Sequence, residues 1–166
     1  MTAERAAALA DSFAQANQAA MEFARSCSEE QWQTVVPGEG WTVGVVLHHI
    51  AEGHATGLRW LEAMSRGEAV TDTTGDIDEW NVEHAGRSAG VGIDQTIDLL
   101  RENGARTEAA FRRLSDEELD RTAPFGPADG MTLPTDGMAT ALAGHAREHL
   151  AHAQEAVGLS PSSGTG

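Results

Sequence analysis

Three histidines, His145, His149 and His152, fall on one stripe of the chain's last helical stretch, Gly144-His145-Ala146-Arg147-Glu148-His149-Leu150-Ala151-His152. The stripe reads Met138, Leu142, His145, His149, His152 and Ala156, in steps of 4, 3, 4, 3 and 4. That is the spacing of one buried helix face, on which residues four apart point the same way. Such a face normally carries Leu, Ile or Phe. Imidazoles buried there without partners cost free energy, so the pattern predicts something that satisfies them, and a bound metal ion is the leading candidate. His145 and His149, at i and i+4, can reach one ion together. Zinc takes imidazole nitrogen at about 2.0–2.1 Å, and a catalytic site keeps at least one position open.

A third ligand has to come from another helix, and the stretch after Trp41 offers His48, His49 and His54. The core stripe there is Val43, Leu47, Ile50, His54, Gly57 and Leu61. It places His54 near the core centre and His49 on the flank shared with Gly53 and Trp60, where a cleft could form. His48 lies farther round and is expected to be solvated. Spacing alone leaves both His49 and His54 open. His152, one turn beyond His149, is expected beside the site or facing a substrate. His145 to His149 also has the H-x-x-E-H form of inverzincin proteases. That mechanism needs a further carboxylate well downstream on a large domain, and so is not expected here. A di-iron bundle needs Glu-x-x-His pairs, and the chain has none.

Composition narrows the remaining chemistry. The 11 basic residues are all arginine, which excludes a Schiff-base lysine, a pyridoxal phosphate enzyme and a P-loop. Tyrosine is absent. A net charge of −15 opposes nucleic acid and anionic membrane surfaces alike. No stretch approaches the roughly 20 apolar residues of a membrane span, and Met1 to Arg5 does not open a signal peptide. A cytoplasmic location is expected. The one cysteine, Cys27, ends the apolar stripe of the first helix and is expected to be a small buried thiol.

Four long helices must position these residues. The first runs from about Thr2 to Ser26 on the stripe Leu9, Phe13, Ala16, Ala20, Phe23 and Cys27. The second runs to about Arg66 from an N-cap at Thr42. The third carries Ile93, Ile97, Leu100, Gly104, Thr107, Phe111 and Leu114. The fourth is expected to start at a Thr135 cap and to end before Gly158. Capping boxes at Ser28 and Ser115 open short turns. Residues 67–90 show no periodicity and read as a long connection. A second one, residues 123–135, holds three prolines and two glycines. No strand-like alternation is found. The fold class expected is all-α, a four-helix bundle occupying residues 1–159, followed by a disordered tail at 160–166.

Three motifs in order resemble a known family: the run Trp41 to Ile50 with its paired histidines, the acidic loop Asp76-Ile77-Asp78-Glu79-Trp80-Asn81, and the closing helix His145 to Gln154. The chain resembles the DinB-like helical bundles, which include the N-terminal domain of mycothiol-dependent maleylpyruvate isomerases. The motifs span about residues 8–157. The resemblance implies an up-down-down-up bundle with two long connections. It assigns the metal to His49, eight residues after the tryptophan, with His145 and His149, and demotes His54. It also implies a divalent metal, zinc or nickel, and in several relatives a low-molecular-weight thiol such as mycothiol. The isomerases' own substrate is not carried over.

The expectation is therefore a metal-dependent enzyme of the thiol-dependent transferase or isomerase type. It would act on a small molecule, without nucleic acid or membrane partners, as a possible homodimer. The alternative is a non-catalytic metal- or ligand-binding bundle in stress response. Glu52, one turn from His49, and Asn81, together with His152 and His54, are the expected neighbours of the ligands or of the substrate. Arg59 and Arg147 are candidates to pair with substrate carboxylates, whereas Glu148 reads as exposed.

Overall fold

The computed structural model describes residues 2–159. In chain order the elements are α1 (Thr2–Ser26), α2 (Glu29–Trp32), α3 (Val43–Ser65), α4 (Thr74–Arg87), α5 (Ile93–Arg113), α6 (Asp116–Asp120), β1 (Thr122–Phe125), β2 (Met131–Pro134) and α7 (Thr135–Ala156). The stretch expected to be a disordered tail, 160–166, lies outside the described residues.

Side-chain pairings give the direction of each long helix. Arg112 reaches Asp11 while Asn17 reaches the Leu100 carbonyl, so α1 and α5 are antiparallel. Arg5 pairs with Asp136 and Arg147 bonds Ser12, so α1 and α7 are parallel. Asn103 and Thr107 donate to the carbonyls of Ala51 and His54, so α3 and α5 are parallel. His49 meets His145 and Gly57 meets Leu142, so α3 and α7 are antiparallel. The order is up-down-down-up, with α1 diagonal to α3 and α5 diagonal to α7. Parallel successive helices cannot be joined by a tight turn. The chain must travel the bundle's length between α3 and α5.

The expected caps hold at Ser28, Thr42 and Ser115, where each hydroxyl accepts a first-turn amide. Thr135 does not cap α7. Pro134 occupies that position, and the Thr135 hydroxyl donates to the Arg121 carbonyl at 3.0 Å, tying the start of α7 to the end of α6.

Two stretches depart from expectation. Residues 67–90 are not an irregular connection, because α4 lies within them, opened by a reciprocal Thr73–Asp76 capping box. The helix buries a single side chain, His84, so no aliphatic stripe marked it. The second connection, expected to contain no strand at residues 123–135, holds with Thr122 the antiparallel hairpin of β1 and β2, Thr122 opposite Pro134 and Phe125 opposite Met131. Strands of four residues each are too short for alternation to show. The two connections meet where Thr74 Oγ1 donates to the Pro127 carbonyl at 3.3 Å.

The core has two apolar halves. One gathers Trp32, Leu47, Ile50, Leu100 and Leu150; the other gathers Phe13, Leu61, Phe111, Phe125 and Leu142. A polar waist separates them. There His54 Nε2 donates to Asn17 Oδ1 at 2.9 Å, and Asn17 Nδ2 in turn donates to the Leu100 carbonyl at 3.1 Å.

Candidate metal centre

Helices α3 and α7 must approach closely for their histidines to meet, and Gly57 permits it. A Cβ there would lie 1.9 Å from Leu142 Cδ2. About two turns nearer the start of α3, His49 Nε2 faces His145 Nε2 at 3.2 Å, and the His49 ring centroid lies 4.9 Å from that of His149. One ligand atom from each of His49, His145 and His149 lies within 4.8 Å of the others.

Burial pushes His49 down to about 2, helped by the neighbouring His145 and His149. Burial likewise pushes His145 down to about 4, with His149 adding to it. Both rings are therefore neutral at ordinary pH, the form that ligates metal.

His149 is oriented from behind. Its Nδ1 lies 2.9 and 3.0 Å from the two oxygens of Glu39, and His152 Nδ1 lies 2.7 Å from Glu39 Oε1. With Nδ1 so engaged, Nε2 is the atom His149 offers to the cluster. Glu39 stands in a tight loop between Gly38 and Gly40, whose φ of 86° and 74° suit residues without a Cβ. Burial alone would raise the Glu39 carboxyl, but hydrogen bonds from His149 and His152 hold it below the usual carboxylate range.

The donor set fits a divalent ion. Two imidazole nitrogens bound at about 2.0–2.1 Å to one tetrahedral ion would stand ~3.3 Å apart, against 3.2 Å for His49 and His145. His49 Nδ1 is buried without a hydrogen-bond partner, so protein groups alone satisfy neither tautomer of that ring at both nitrogens. Glu39 behind His149 supplies the carboxylate–histidine arrangement that orients metal ligands.

The cluster opens on a cleft of about 650 Å³. Trp41 and Trp80 flank His49, with ring centroids at 5.0 and 5.5 Å. Trp60 and Phe125 pack edge to face farther along, so helix α4 and the hairpin both wall the cleft. Its polar groups include Asn81, whose Oδ1 is buried and unpartnered, and Arg59, paired with Asp72 at 3.0 Å.

Among the expected site residues, His49, His145, His149 and Asn81 come together at the cleft. His152 is near but half outside, held by Glu39. His54 does not face the site, because its Nε2 is committed to Asn17 in the waist. Glu52 turns away from the cleft to Arg87. His48 is not solvated; it is 7% exposed and lies 3.0 Å from His84 Nε2. Arg147 bonds Ser12 instead of lining the cleft. Glu148 is exposed, as expected. Glu39 and His84 were not anticipated. Both lie in segments without periodicity.

The model of the DinB superfamily matches residues 12–153, and the chain belongs to that family. Among solved structures, YfiT from Bacillus subtilis, described as "a probable metal-dependent hydrolase with an unusual four-helix bundle topology", superposes with a TM-score of 0.78 at 19% identity. That match covers 96% of this chain and 91% of YfiT. The mycothiol-dependent maleylpyruvate isomerase, and a variant of it with one histidine replaced by alanine, superpose with a TM-score of 0.69 at 16% identity. These cover 90% of this chain but only 60% of the isomerase. At such identities the likeness is one of fold. No curated protein matches the chain in sequence.

Proposed function

We propose that this protein is a divalent-metal-dependent enzyme acting on a small organic molecule in the cleft, with a low-molecular-weight thiol such as mycothiol as co-substrate. The observation that carries the reading is the set of three converging imidazoles, His49, His145 and His149, opening on a cleft walled by aromatic rings. Imidazole ligands suit zinc and nickel among the available ions. When bound, the ion lowers the pKa of a water or thiol in its open position and so yields a nucleophile near neutral pH.

The chain's own residues do the rest. Glu39 fixes the His149 ring. Trp41 and Trp80 keep bulk water from the donor set. Asn81 brings an unsatisfied carbonyl acceptor to the cleft wall, and Arg59 brings a guanidinium that can pair with a substrate carboxylate. The thiol has to come from outside the chain. Cys27 does not line the cleft, and burial pushes it up to about 11, leaving almost no thiolate at neutral pH.

The test is a screen of zinc- and nickel-loaded protein with bacterial thiols and small electrophiles, alongside ester and amide substrates without thiol. Thiol-dependent turnover that disappears in the His49→Ala variant supports the proposal. Thiol-independent hydrolysis would shift the reading to the activity described for YfiT. A fully metal-loaded protein inert in every arm would leave a non-catalytic metal- or ligand-binding bundle.

A further inference from the structure

A second group of donors stands beside the first, with the His84 ring centroid 5.5 Å from that of His49. His48 Nδ1 lies 3.0 Å from His84 Nε2 and 3.2 Å from Ser88 Oγ, while Glu52 Oε2 lies 3.9 Å from His84 Nε2. The two rings stack at 20°, with centroids 5.2 Å apart. His84 is fully buried, and one ligand atom from each of His48, Glu52 and His84 lies within 4.8 Å of the others. A hydrogen bond between the two rings accounts for only part of this convergence. Glu52 is too distant from His84 to bond it, and His84 Nδ1 is buried without a partner. The group has its own mouth, a polar hollow of about 450 Å³ bordered by Ser88, Gly90 and Gln95. None of its three members lines the aromatic cleft.

We propose that His48, Glu52 and His84 form a second divalent-cation site, taking an ion such as Zn²⁺, Ni²⁺ or Co²⁺ on two imidazole nitrogens and one carboxylate oxygen. Two histidines and a carboxylate on one side of an ion, with other positions open, are an established donor set for first-row metals. Adjacent positions of an octahedral ion with bonds of about 2.1 Å are ~3.0 Å apart, which matches the separation of the two ring nitrogens.

Arg87 is the competitor. Its guanidinium bonds Glu52 Oε2 and lies 5.6 Å over the Trp80 ring, half-exposed at the mouth. A cation must displace it, so this site is weaker than the three-histidine centre. Occupation would also fasten α4 to α3, since His84 is the buried side chain of α4. That helix carries Trp80 and Asn81 into the cleft.

Titration of the metal-free full chain with Co²⁺, followed by visible absorption and by metal analysis, tests the site. The wild type should take a tight and a weaker equivalent. His84→Asn and Glu52→Gln should each lose the weaker one and keep the tight one, and His145→Ala should do the reverse. Arg87→Gln should tighten the weaker equivalent roughly tenfold by removing a like charge. A single equivalent in the wild type up to millimolar Co²⁺ overturns the proposal. So does a second equivalent that survives both His84→Asn and Glu52→Gln. Should His84→Asn loosen the fold, Glu52→Gln at a half-buried position gives the same reading. Failure of the three-histidine centre would show separately, as absence of the tight equivalent.

Discussion

His49 and His54 stand five residues apart on the same face-forming stretch of α3, and both are buried, yet they live in opposite circumstances. His54 is surrounded by what it needs: Asn17 accepts from its Nε2, Phe13 packs edge-on at 4.7 Å, and the Thr107 hydroxyl covers its carbonyl. His49 meets another imidazole at one nitrogen and nothing at the other. A satisfied buried ring contributes to a specific core, whereas a cluster of rings that satisfy one another poorly is held together for a ligand. The contrast separates a histidine that the protein satisfies from one that it leaves unsatisfied, without reference to sequence motifs.

The largest expected effect breaks the functional side. His49→Ala or His145→Ala should abolish tight metal binding while the far-ultraviolet helical signal persists. Metal analysis of the purified variants checks it, and full retention in both would sink the three-histidine centre. Glu39→Gln should weaken metal affinity by about 10–100-fold, as for other carboxylates that orient a ligating histidine. Competition with a chelator of known affinity would read it.

On the structural side, Asn17→Ala should destabilise the fold by about 1–3 kcal/mol, because it strands the His54 ring in an apolar waist. Denaturant unfolding measures the loss, and the metal content of this variant should be unchanged. A fall in metal affinity would mean that the two histidines are less separate than their contacts indicate.

Acid sharpens the same comparison. Burial, with a smaller contribution from His145, pushes His54 down to about 3 from an ordinary 6.5. Between those values the unfolded chain binds a proton that the folded chain refuses. Stability is therefore full above pH 6.5 and falls as pH drops towards 3, by up to ~1.4 kcal/mol per pH unit for one group. Replacing His54 with leucine should remove about one proton from the pH dependence of unfolding of the metal-free protein. The smallest effect is expected at Cys27. Its raised pKa predicts slow alkylation near pH 7, and Cys27→Ala should leave any thiol-dependent activity intact.

The four long helices were legible because each carries an aliphatic stripe and most carry a cap. Helix α4 and the hairpin were not. Helix α4 turns tryptophan, asparagine and histidine inward, types without an aliphatic period, and β1 buries only Ala123 and Phe125, too few for alternation to show. The site divided along the same line. His145 and His149 were visible from i,i+4 spacing alone. Helical geometry left His49 and His54 undecided, and the family resemblance preferred His49. What sets the two apart in the fold is Asn17 on α1, a long-range partner of His54 that no local pattern announces. His48 departs from its expected solvated position for a similar reason: His84 of α4 covers it, and α4 carries no aliphatic stripe.

The up-down-down-up order has a practical consequence for handling the molecule. Helix α7 continues only about two turns, ~10 Å, past His149 before ending at Ala156, whereas α1 begins at the opposite end of the bundle. A polyhistidine tag fused behind α7 would hover beside the metal donors and compete with them for ions. The same tag placed ahead of α1 would start farther off, since Ser12 is level with Arg147 and the first residue of α1 lies ~15 Å beyond it along the axis. Metal stoichiometries, including those that separate the tight from the weaker equivalent, are best measured on protein carrying its handle in front.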